Sequence, residues 1–256
     1  MQYYFVAAAL PPLSIGSKPE MSFQAFQELL NLNLTQADLK KVADLLRLID
    51  LANMRALWMG LPLDERGNVS PKRLEEVILI RELPHYILDF LDRYETVEER
   101  LRYFSSLYAS LFQEMAQKTD GFLRAYYTFE REVRLILTAL RAKRMKRDVV
   151  REMQFEDPSD PLVMDILAQK DAAEYAPPQE YEDLKTLFLN HLSDPKALYR
   201  ALLEYRFAKI EEMEENEPFS INHLLGYAAR LLIVESWANL NQEQGIAIIE
   251  DLSKYG

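Results

Sequence analysis

Phe129–Arg151 reads FEREVRLILTALRAKRMKRDVVR. At 100° per residue, Phe129, Val133, Ile136, Leu137 and Leu140 fall on one apolar stripe, as a helix packed against a core requires. Continuing the same face gives Arg144, Arg147 and Arg151, so the stripe turns cationic without changing direction. Beside it run Glu130, Arg134 and Arg141, the first two spaced for an i,i+4 pair. The second half of the segment carries six Lys/Arg against one Asp, in a chain whose formal net charge is −11.

Three kinds of counter-charge suit such a segment: nucleic acid, acidic residues of the same chain, or a protein partner. The acidic total disfavours a general nucleic-acid binder, which needs net positive surface to meet phosphates. Within the chain, FEDPSD (Phe155–Asp160) and EEMEENE (Glu211–Glu217) supply carboxylates. Part of the charge also complements the helix C-terminal dipole.

Outward from this segment the punctuation is helical. Ser22 opens SFQAFQELL, and Thr35 with Asp38 opens a run closing at Gly60. Ser70-Pro71 and Asp194-Pro195 each place a capping residue before a first-turn proline. Leu83-Pro84 opens a short helix through Tyr94, and Thr96 with Glu99 forms a capping box for a helix to Lys118. The run from Phe122 to about Met153 would span roughly 45–50 Å at 1.5 Å per residue. DPLVMDILAQ, EYEDLKTLFLNHL, the segment from Asp194, SINHLLGYAARLLIVESWANL and NQEQGIAIIEDLSKY complete the series. Around Ser220, Phe219 and Leu224 are spaced as a hydrophobic staple. YYFVAAAL ahead of Pro11-Pro12 reads as a short extended segment with no sheet to join. Residues 171–183, DAAEYAPPQEYED, read as a linker or exposed loop. The expected fold is all-α: an elongated bundle of about ten helices. It divides into an N-terminal helical lobe, 1–118, and a long helix with a C-terminal helical lobe, 119–256, or forms one continuous domain.

The 256 residues are 49% hydrophobic and 28% charged, a globular balance with room for a large core. The absence of cysteine removes disulfides, thiolate metal sites and cysteine nucleophiles, and fits a reducing compartment. No apolar run approaches the roughly 20 residues that span a bilayer. No basic stretch precedes the first apolar run as in a secretory signal, so a cytoplasmic location is expected.

Chemistry-bearing motifs are sparse. His85, His191 and His223 are scattered. Glu82 and His85 have the Glu-x-x-His spacing of di-iron bundles, but in a single copy interrupted by Pro84. Seven glycines form no phosphate loop, dinucleotide fingerprint or nucleophile elbow. Tyr103, Leu107 and Leu111, flanked by Phe104, Tyr108 and Phe112, have the spacing of core packing rather than base stacking. No catalytic, cofactor or metal residue is assigned, and an enzyme is not expected.

LILTALRAKRMKRDV (Leu135–Val149) resembles the long helix of the V/A-type ATPase central-stalk component named C in bacteria and archaea and d in eukaryotes. Leu140, Arg141, Ala142 and Lys143 match its Leu-Arg-Ala-Lys-like run, whereas Leu135 stands where that family often has asparagine. Leu224, Tyr227, Glu235 and Trp237 resemble its C-terminal pattern. The order YYFVAAALPPL, FEREVRLILTALRAK, LLGYAARLLIVESW is closer still to an uncharacterised bacterial family encoded beside V-type ATPase genes. The stalk component has three related lobes; this chain has length for two. The resemblance implies a non-catalytic coupler between the central shaft and the membrane proteolipid ring, peripheral to the inner face of the membrane through protein partners and without cofactors. Its partner-facing residues would be Arg141, Lys143, Arg144, Arg147 and Arg151. The competing expectation is a soluble helical regulatory adaptor unrelated to the ATPase.

Overall fold

The structure is a computed structural model that describes residues 2–214 and 218–239. Its described residues are all-α, with fourteen α-helices and one 3-10 turn. In chain order these are α1 (Gln2–Ala8), α2 (Phe23–Asn33), α3 (Gln36–Leu45), α4 (Arg47–Met59), α5 (Pro71–Leu79), α6 (His85–Arg93) and α7 (Val97–Arg102). They continue as α8 (Phe104–Lys118), α9 (Gly121–Arg144), α10 (Val149–Glu152), α11 (Pro161–Ala168), α12 (Glu182–Asn190), α13 (Pro195–Met213) and α14 (Ile221–Ala238). The helix expected over NQEQGIAIIEDLSKY lies outside the described residues.

Most of the expected starts are present. Ser22, Thr35, Asp160, Asp194 and Ser220 each accept a backbone N–H of their own first turn, and Thr96 with Glu99 closes a capping box. Such caps satisfy amides that have no carbonyl partner within the helix.

The helices outnumber the expected ten because several runs break. The run from Thr35 to Gly60 bends at Leu46, whose ψ of −4° lets the adjacent Leu45 and Leu46 both bury. The run from Thr96 breaks at Tyr103, where the Ser106 hydroxyl donates to the Tyr103 carbonyl at 2.8 Å. The N-terminal stretch expected to be extended is helical. Its alanines favour that state, and Val6 is fully buried.

The run from Phe122 to Met153 is also interrupted. α9 stops at Arg144, about 36 Å from its start at 1.5 Å per residue. Lys146 takes a left-handed φ of 54°. The amides of Lys146 and Arg147 then donate to the carbonyls of Lys143 and Ala142, the paired bonds of a Schellman end. Arg147 and Arg151 therefore do not continue the stripe of α9; they sit on the turn and on α10.

Two hydrophobic cores meet along α9. Its first half gives Phe122, Leu123 and Tyr127 to one core, together with α1–α6, α8 and α14. Phe129, Val133, Ile136, Leu137 and Leu140 enter the other, with α10–α12. All five stripe residues are buried. Residues 171–183 are pinned rather than free: Tyr175 and Tyr181 bury in the second core, and the Gln169 side chain brackets the backbone of Ala176.

Candidate functional site

Between the cores lies a cleft of about 1050 Å³. The polar row of α9 (Glu130, Arg134, Thr138, Arg141) forms one wall, one residue per turn as the sequence spacing implies. α13 faces it with Tyr199, Leu202, Leu203 and Arg206, while Tyr103, Phe104, Tyr108 and Phe112 supply an aromatic side. Arg147, Arg151 and Glu152 close one end. Among the described residues, seven arginines and four carboxylates line the cleft.

The charges are unevenly matched. Arg206 Nε donates to both Glu130 oxygens at 3.0 Å. Burial alone would lower Arg206, but the Glu130 charge and hydrogen bond hold it above the ordinary arginine value. Arg134 lies over the Tyr108 ring at 4.9 Å and reaches Glu156 Oε1 at 3.3 Å. Burial nevertheless pulls Arg134 below its ordinary value. The expected Glu130–Arg134 pair is thus replaced by two longer-range pairs. Arg141 differs: burial and then the neighbouring Arg206 both lower it, and no carboxylate among the described residues pairs with it.

The five sequence-assigned residues take separate places. Arg141 faces the cleft half-buried, while Arg147, with Glu152 at 3.9 Å, and the exposed Arg151 lie at its end. Arg144 is exposed and does not line the cleft. Lys143 is an internal brace. Its Nζ donates to the carbonyls of Gln169, Lys170 and Ala172 at 2.5–2.8 Å, closing the C-terminal end of α11, where a cation is favoured.

The acidic segments do neutralise arginines. Glu156 and Asp160 hold Arg131 and Arg134, and Glu211 and Glu214 hold Arg230. Sequence spacing brought no notice to Arg55 or Arg206, which reach the cleft only through tertiary packing; their positions on α4 and α13 carried no local signal. Glu82 and His85 do not share a helix, because Pro84 is the N-cap of α6.

The residues of the C-terminal pattern hold the first core together. Leu224 and Tyr227 are buried, and the Tyr227 hydroxyl donates to the Pro11 carbonyl at 3.1 Å. Glu235 accepts the Phe23 amide at 2.7 Å and pairs with Arg66. Trp237 lies under the Arg200 guanidinium.

Residues 1–255 match a family described as "Protein of unknown function (DUF2764)". The chain belongs to that family. It is 33% identical over 260 residues to an uncharacterized protein of Chlamydia muridarum (strain MoPn / Nigg), covering 99% of this chain and 98% of the relative. A Chlamydia trachomatis serovar D protein, also described as uncharacterized, is 31% identical over 250 residues, with 94% of each chain covered. A Chlamydia pneumoniae relative is 30% identical over 260 residues, with 99% and 98% covered. No solved structure matches the chain significantly. These matches, over 94–99% of the chain, assign a family. Among the described residues, no helix is long and apolar enough to cross a membrane.

Proposed function

We propose that this chain is a non-catalytic helical subunit or accessory protein of a V/A-type rotary ATPase, coupling the central shaft to the membrane proteolipid ring. The observation that carries this reading is the resemblance of Leu135–Val149 to the long helix of the central-stalk component, with the N- and C-terminal patterns in the same order. Two structural features support it. One 24-residue helix, α9, runs through both hydrophobic cores, as a torque-bearing element would need. Its C-terminal end presents exposed cations, Arg144 directly and Arg151 nearby, suited to acidic elements of a shaft or to polar loops of a ring. On this reading the protein is cytoplasmic and reaches the inner membrane face through its partners.

The test is affinity capture of the tagged protein from its own cells in mild detergent, with mass spectrometry of what co-purifies. Shaft and proteolipid subunits recovered in fixed proportion are the expected result. Recovery of soluble partners only, with the ATPase intact and active without this protein, would overturn the coupler reading and leave a helical adaptor.

A further inference from the structure

We infer that the cleft between the two cores is a binding site for a small oxyanion, a carboxylate or phosphate group carried on a small organic molecule, and that Arg141 is the residue that meets it. An arginine taken out of water is costly unless an anion accompanies it. Arg141 lines the cleft half-buried, and no carboxylate among the described residues pairs with it. The carboxylate of the polar row, Glu130, is held by both oxygens on Arg206 at 3.0 Å, and Glu152 of the lining pairs with Arg147 at 3.9 Å. Glu156 is taken by Arg131 and Arg134. Arg206 lines the same cleft, and its charge disfavours that of Arg141.

The space suits a ligand as well as the charge does. A cleft of about 1050 Å³ is at the upper end of what small organic ligands occupy. Tyr103, Tyr108 and Phe112 offer an apolar surface for the body of the molecule. The planar fork of arginine binds either oxyanion through two parallel hydrogen bonds. The site is independent of the rotary-ATPase reading and stands or falls without it.

The experiment is calorimetric titration of the full chain with inorganic phosphate and, separately, with citrate, in low-chloride buffer. Saturable one-to-one binding of at least one is expected. Preference for phosphate assigns a phosphoryl ligand, and preference for citrate assigns a carboxylate. R141M and R141Q are expected to weaken binding at least tenfold. R144M, altered at an exposed arginine outside the cleft, should bind as the wild type does. Thermal unfolding without anion separates binding from folding: R141M and R141Q should melt no lower than the wild type, because each removes an uncompensated charge. No saturable binding of either anion, or equal binding by R141M, overturns the site. Failure of both Arg141 variants to fold overturns it too, since it would show the charge already satisfied within the fold.

Discussion

Lys146 holds a backbone position that a side chain resists. Its φ of 54° brings Cβ against the following carbonyl, at a cost of roughly 1–2 kcal/mol for an L-residue. Glycine avoids that cost but loses more chain entropy on folding. Lys146→Gly is therefore expected to stabilise the protein by about 0.5–1 kcal/mol, read as a higher urea midpoint at unchanged slope. Glu132 shows a different residue-level effect. Burial raises its carboxyl above the ordinary glutamate value, although the Tyr181 hydroxyl donates to it and pulls the other way. A raised carboxyl binds its proton more tightly in the folded state, so stability falls as pH climbs from the unfolded to the folded value and the penalty is complete above it. Glu132→Gln keeps an acceptor for Tyr181 and removes the titration. The wild-type-minus-variant difference in unfolding free energy should therefore decline from mildly acid pH to neutrality; a flat difference would falsify the assignment.

At the scale of elements, ion pairs decide how helices are joined. Glu156, with a side chain only 5% exposed, receives Arg131 and Arg134 from α9 and fastens that helix to the chain ahead of α11. Glu156→Gln should cost about 2–3 kcal/mol, since it leaves partly buried guanidinium groups short of charge; chemical denaturation reads this directly. Gly226 in α14 serves a similar joint. A Cβ there would lie 2.5 Å from Glu214 Cγ and 2.6 Å from its Oε1. That carboxylate is held by Arg230 at 2.7 Å and by His223 at 3.0 Å, so it cannot easily withdraw. Gly226→Ala is expected to destabilise by about 1–2 kcal/mol, against the gain of about 1 kcal/mol that alanine brings to an open helix. These joints also show what the sequence could reveal. The apolar stripe of α9 and the caps at Ser22, Thr35 and Thr96 were legible because each depends on neighbours within a few residues. The polar row Glu130, Arg134, Arg141 was legible as a row, but its partners Arg206 and Glu156 lie 76 and 22 residues from those they bind. The breaks at Leu46 and Tyr103 were not legible, because tertiary burial decides them.

At the scale of the whole molecule, a net charge of −11 is set against a cationic region at the end of α9. Arg144 and Arg151 are exposed there, and neither contributes to the two cores. Charges on an open surface act over about 8 Å at physiological salt and less as salt rises. Docking of an acidic partner at this end would therefore be sensitive to ionic strength, whereas the buried pairs around Glu156 and Arg206 would be much less so. Arg144→Glu combined with Arg151→Glu is expected to lower recovery of shaft and ring subunits at least tenfold, equivalent to about 1.4 kcal/mol of binding. Added salt should weaken capture by the wild type in the same direction. The double variant should keep its stability within about 0.5 kcal/mol, as surface substitutions usually do, so lost capture cannot be laid to unfolding. Capture that withstands both the charge reversal and the salt, with the melting temperature unchanged, would place the contact on another face and leave these arginines to keep an acidic protein locally balanced.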